Sequence, residues 1–136
     1  MTFMHDAQET FFTSIGCMDG RVQEPIAEYG LQNFDAIYPD TITDAGFVAI
    51  LANSKTGDEY FESIKKKLLI SVEKHKSLGI VVHGHQKCAG NPVDDEEHKK
   101  DILKAAEKVR EMLDERVVMV IPAFVKLYPT AIEVLS

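Results

Sequence analysis

The chain has 136 residues, 45% of them hydrophobic and 27% charged, with a formal net charge of −7. That length and balance suit one soluble globular domain over residues 1–136, with enough core to fold and no room for two. The negative charge argues against a nucleic-acid or anionic-membrane partner, and no apolar run is long enough to span a bilayer.

The opening Met1-Thr2-Phe3-Met4-His5-Asp6 lacks the basic and apolar stretches of an export signal, so a cytoplasmic location is expected. In that compartment two cysteines serve as ligands or nucleophiles more often than as a disulfide. Phe12 to Cys17 predicts the first strand. A helix is expected to open near Gln23-Glu24-Pro25, since proline fits the first turn, and to stop at Gly30. Asp35 to Ile42 reads as a second strand, which Pro39 assigns to an edge or a bulge. Phe47 to Ala52 is apolar all round, as in a short buried helix, although a strand fits the same pattern.

Thr56 and Glu59 have capping-box spacing ahead of an apolar stripe of Phe61, Ile64, Leu68 and Val72, predicting a helix that ends near Leu78-Gly79. Lys65-Lys66-Lys67 is its solvated face. Ile80-Val81-Val82 is a buried strand running into His83-Gly84-His85. Asp94 to Glu97 open another helix at the positive end of its dipole, with a stripe of Ile102, Ala105, Ala106, Val109 and Met112-Leu113. Val117 to Ile121 predicts a fourth strand, and the tail is ambiguous. Alternating strands and helices imply an α/β fold, a mostly parallel sheet of four to five strands covered by helices, with sites beyond the carboxyl ends of the strands.

Cys17 closes the first predicted strand, and His85 closes the third, three residues before Cys88. Two thiolates and one imidazole form a three-ligand zinc set. Structural zinc sites supply four protein ligands, whereas catalytic ones leave a position for water. Cys17-Met18-Asp19-Gly20-Arg21 and Gly84-His85-Gln86-Lys87-Cys88 together resemble the β-class carbonic anhydrases, which carry Cys-x-Asp-x-Arg on a first strand and Gly-His-x-x-Cys after a later one. The approach through Ser63 to Leu78 and Gly79-Ile80-Val81-Val82 is similar too, as is Ala45-Gly46 after the second strand. The likeness covers roughly residues 12–92, with firm identity confined to the two motifs.

The resemblance implies a β-carbonic-anhydrase-like domain with one Zn2+ per chain, held by Cys17, His85 and Cys88. It implies reversible hydration of CO2 to bicarbonate by zinc-bound hydroxide, assisted by an Asp19–Arg21 dyad, and a homodimer or higher homo-oligomer. Gly20 would let the backbone turn sharply between the dyad residues. His83 is a candidate relay beside the metal, and Asp44 a candidate acid near it; each is also readable as a packed structural residue.

The sequence departs from the family in three ways. Only 16 residues precede Cys17, so the family's N-terminal helical arm is expected to be absent or reduced. Thr43-Asp44 replaces the family's Arg-Asn before Ala-Gly, and Ala-Gly-Asn-Pro follows Cys88. Other readings stay open: a zinc hydrolase for COS or CS2, a non-catalytic zinc-binding relative with Asp19, Asp44 or His83 as fourth ligand, and a thiol redox protein with a Cys17–Cys88 disulfide.

Overall fold

The computed structural model describes residues 9–136; the expectation for Met1 to Asp6 lies outside them. Five strands, β1 (Phe11–Cys17), β2 (Tyr38–Asp44), β3 (Ile80–His85), β4 (Val120–Lys126) and β5 (Ala131–Val134), form one sheet in the order β2-β1-β3-β4-β5. The first four are parallel, and β5 returns antiparallel to β4. The helices are α1 (Gly20–Phe34), α2 (Phe47–Asn53), α3 (Glu59–Leu69) and α4 (Asp95–Leu113), and a π-helical turn, Ile70–Lys74, extends α3. No described helix is long and apolar enough to cross a membrane.

Apolar side chains leave the sheet on both faces. On one, Ile15, Val82 and Phe124 pack with Phe47, Leu51, Ile64, Leu68, Ile102 and Val109 from α2, α3 and α4. On the other, Phe12, Val81 and Ala123 meet Val22 and Ile26 of α1. The two central parallel strands are therefore buried on both sides, and β1 and β3 end together at one rim of the sheet.

Several boundaries differ from the sequence reading, each for a local reason. α1 begins at Gly20, ahead of Pro25, because Asp19 caps it, accepting from the Arg21 backbone N–H at 2.8 Å. Gly30 does not end it: that residue is buried against the Phe12 ring where a β-carbon would collide, and α1 stops instead at Asp35, in the left-handed region. Thr56 does not cap α3. Its hydroxyl bonds Glu111, while Asp58 accepts from the Phe61 N–H at 2.8 Å.

The helical path from α3 closes at His75. β2 runs over Tyr38–Asp44, with Pro39 exposed on the edge strand as its missing N–H requires. Residues 117–119 connect α4 to the sheet, with Val117 99% accessible and Val118 half-buried against the core, and β4 starts only at Val120. The β-branched pair Val117-Val118 mimics a strand that the chain reaches only at Val120.

Candidate active site

The helix cap that starts α1 also builds half of the site. β1 ends at Cys17, and two residues later Asp19 turns the chain into α1, where the helix's positive end favours its carboxylate. Arg21, in the first turn, reaches back over its own cap. Its Nε donates to Asp19 Oδ1 at 3.0 Å and its guanidinium NH2 to Oδ2 at 2.8 Å, a two-pronged pair. These bonds, with the Arg21 backbone N–H, hold the Asp19 pKa down to about 2 against the opposing effect of burial. Gln23 fixes the turn by donating to the carbonyls of Cys17 and Asp19, both at 2.9 Å.

Gly20, between the pair, takes no left-handed conformation, and a β-carbon there would meet nothing. The sharp turn expected of it is absent because it is simply the first residue of α1. Gly20→Ala should therefore leave urea-unfolding stability unchanged or raise it by about 0.4–1 kcal/mol.

The other half comes from β3 and the loop after it. His85 closes the strand, 1% exposed, and its Nδ1 donates to the Gln86 carbonyl at 2.7 Å. That bond places the ring proton on Nδ1, so Nε2 presents a bare lone pair, buried and without a protein partner. Lys87 then adopts a left-handed conformation (φ 55°), which swings Cys88 inward, and its carbonyl accepts from Arg21 at 3.2 Å. The ligand-type atoms of Cys17, His85 and Cys88 all lie within 4.8 Å of one another, the one such cluster found among the described residues.

The donor set fits zinc. Both cysteines are free, with their sulfurs 3.7 Å apart. Two Zn–S bonds of about 2.3 Å at a tetrahedral angle would separate them by roughly 3.8 Å. Burial and then Cys17 push the Cys88 thiol upward, offset in part by the nearby backbone N–H groups of Gly90 and Asn91. Asp19 Oδ2 stands 3.8 Å from His85 Nε2, beside the three ligand atoms without joining them.

Residues 7–133 match a family described as "Putative carbonic anhydrase". The chain belongs to that carbonic anhydrase family. Its fold is that of the β class. A tetrameric β-carbonic anhydrase of Sordaria macrospora superposes with a TM-score of 0.65 at 17% identity, over 99% of this chain and 85% of that one. The β-carbonic anhydrase CafA of Aspergillus fumigatus gives 0.59 at 17% identity, over 99% and 79%. Isoform I from Trichomonas vaginalis gives 0.61 at 16% identity, over 93% and 82%. No curated protein sequence matches the chain.

Within this family member the two ambiguous residues fall out differently from the dyad. His83 is fully buried, its Nε2 2.9 Å from Ser14 Oγ, and burial lowers its pKa to about 3. A ring held neutral and sealed from water is unsuited to carrying protons to buffer near pH 7. Asp44 lies beside Cys17 in the β1–β2 register, but its Oδ1 accepts from the Ala45 N–H at 2.9 Å and its Oδ2 faces the Tyr60 hydroxyl at 3.4 Å. It serves the Ala45–Gly46 turn.

That turn supports the Cys88 loop directly. Gly46 has φ +62°, and its backbone lies against that of Gly90, so a β-carbon at Gly46 would strike the Gly90 carbonyl. Gly46→Ala should cost about 2 kcal/mol or more in urea unfolding, from left-handed strain plus that collision.

Sequence reasoning passed over Gln23, His98 and Asp101. His98 is 2% exposed on α4, with its ring centroid 6.2 Å from that of His85. The only signal was its place on the apolar stripe, four residues before Ile102, where a histidine reads as ordinary core.

Proposed function

We propose that the chain is a single-domain zinc carbonic anhydrase interconverting CO2 and bicarbonate, with Cys17, His85 and Cys88 as metal ligands and Asp19–Arg21 as the catalytic dyad. The observation that carries this reading is the bare, buried His85 Nε2 facing two free thiols, with a firmly ionised carboxylate 3.8 Å away. Zinc, when bound, supplies a Lewis acid that makes hydroxide available near neutral pH.

The chain's own groups would do the rest. Cys17 and Cys88 bind as thiolates, releasing their protons on loading. Asp19, held ionised, can only accept a hydrogen bond, so it orients the reacting hydroxide with its lone pair toward the CO2 carbon. Arg21 keeps that carboxylate charged and turned away from the ligand set. As the new C–O bond forms, one C=O π bond of CO2 breaks with its electron pair passing to oxygen, giving bicarbonate, and the proton released in forming hydroxide passes to buffer.

Removing zinc with a chelator should abolish CO2 hydration, and stoichiometric zinc should restore it. Turnover of COS far exceeding that of CO2 would move the substrate to the other heterocumulenes. X-ray absorption of the loaded protein showing a fixed carboxylate in place of an exchangeable oxygen would favour a non-catalytic relative.

The dyad's pH behaviour follows from its lowered carboxyl. Its stabilisation is complete above the ordinary value of 3.8 and is lost as pH falls through about 2. The pH–rate profile between about pH 5 and pH 9 should therefore carry no inflection from Asp19, which stopped-flow assays on wild type and Asp19→Asn would check.

A cytoplasmic homodimer or higher homo-oligomer completes the reading. Within the apolar segments 117–121 and 123–128, Ala123, Phe124 and Val125 are buried in the sheet, while Val117, Met119 and Tyr128 are exposed. Exposed Met18, Ile37, Tyr38, Val117 and Tyr128 remain as apolar surface for a second copy. A monomeric sedimentation profile would contradict that part.

A further inference from the structure

A buried polar cluster joins the Cys88 loop to α4. Asn91, 8% exposed, ends the tight turn that begins at Cys88, its N–H donating to the Cys88 carbonyl at 3.2 Å. Its side-chain amide points into α4. There Nδ2 donates to Asp101 Oδ2 at 3.0 Å and lies 3.3 Å from His98 Nδ1.

The hydrogen-bond chemistry fixes the direction of both contacts. A carboxylate only accepts, so the amide nitrogen must face Asp101, and its second hydrogen is then available to His98. His98 Nδ1 accepts, and its proton sits on Nε2. The ring is clamped between the Phe124 ring, edge-on at 6.0 Å, and the backbone at Gly84, where any β-carbon would strike it. Asn91 is thus tied at both hydrogens to a helix whose own position is set by the core.

We propose that Asn91 is a positioning residue for the metal ligand Cys88, with Asp101 and His98 as its anchors on α4. This inference rests on the zinc reading above. The loop from Lys87 to Pro92 has no regular structure to hold its shape. Gly90 can be pressed against Gly46, and Cys88 kept 3.7 Å from Cys17, only while the loop's far end stays fixed. Asn91 supplies that fixed point. Partners that orient metal ligands typically contribute about 10-fold to 100-fold in metal affinity.

The test compares Asn91→Ala, Asp101→Ala, Asp101→Asn and a control, Ser71→Ala. The control removes a buried hydroxyl bonded to Thr13 at 2.7 Å, in a cluster distant in the fold from the loop. Zinc affinity is read by competition with a chelator, ligand geometry by the thiolate-to-metal and d–d absorption of the Co2+-loaded protein, and stability by urea unfolding of the metal-free protein.

The expected result is a loss of about 10-fold or more in zinc affinity for Asn91→Ala and Asp101→Ala, with altered Co2+ spectra. Asp101→Asn, which keeps an acceptor oxygen, should restore most of that affinity. Ser71→Ala should lose stability without changing affinity or spectrum. Combining Asn91→Ala with Asp101→Ala should weaken zinc binding no further than Asn91→Ala alone.

Wild-type affinity and spectra in both alanine variants would overturn the inference while leaving the zinc site standing. So would a loss that merely tracks stability, as in the control. A wild-type protein that holds no zinc would overturn both readings. If Asn91→Ala does not fold, the half-buried Asp101 pair gives the same comparison.

Discussion

Cys88→Ser should strip the protein of zinc at stoichiometric loading and eliminate CO2 hydration. Structural zinc sites gain about 10–16 kcal/mol, so one of four ligand positions is worth roughly 3 kcal/mol, or on the order of 10²–10³ in affinity. The serine hydroxyl is a poor substitute because it does not ionise near pH 7, whereas the thiol does so on loading. Cys88 is also the proposed ligand with least regular structure beneath it, since Cys17 and His85 end strands of the sheet. Metal analysis after dialysis against a weak chelator would check the affinity, and stopped-flow assays the activity. A Cys88→Ser protein retaining one zinc per chain would remove Cys88 from the ligand set.

The second large effect is expected at Arg21. Arg21→Ala should lower kcat/KM by roughly 10²–10³-fold while zinc is held as tightly as before or more so. Asp19 Oδ2 already stands 3.8 Å from His85 Nε2, and the two-pronged bond to Arg21 holds both of its oxygens. With Arg21 gone, a side-chain rotation would bring the carboxylate into the ligand set as a fourth donor and close the site to water. Arg21→Lys should recover activity only partly, because lysine restores the charge without the fork. Zinc competition alongside stopped-flow kinetics separates these outcomes. An Arg21→Ala enzyme with undiminished kcat/KM would show that the pair is structural, a helix cap and nothing more.

Much of this arrangement is legible in the sequence because it follows from short-range rules. Ile80-Val81-Val82 ahead of His85 is an apolar run too short and too β-branched for a helix, and it is a strand. Cys17 and His85 end neighbouring parallel strands, and in such sheets residues at the carboxyl ends of strands converge. Asp94 caps α4 as its acidic run suggested.

The differences arise where tertiary context overrides local pattern. Gly30 looks like a stop, but it is a contact point for Phe12, 18 positions earlier in the chain. Val117 and Val118 have the composition of a strand, but the chain joins the sheet only at Met119, whose carbonyl accepts from the Ile80 N–H at 2.8 Å. Gly20 looked like a hinge because glycine so often is one, and the cap at Asp19 made a hinge unnecessary. The Asn91–Asp101–His98 cluster was beyond sequence reasoning, since nothing in a lone asparagine after a turn names a partner ten residues on.

The most direct measurement is stopped-flow CO2 hydration by the protein carrying one zinc per chain, from about pH 6.5 to about pH 9. Turnover should rise with pH, vanish on chelation and return with zinc. A fully zinc-loaded, folded protein with no turnover above buffer across that range would contradict the proposed activity.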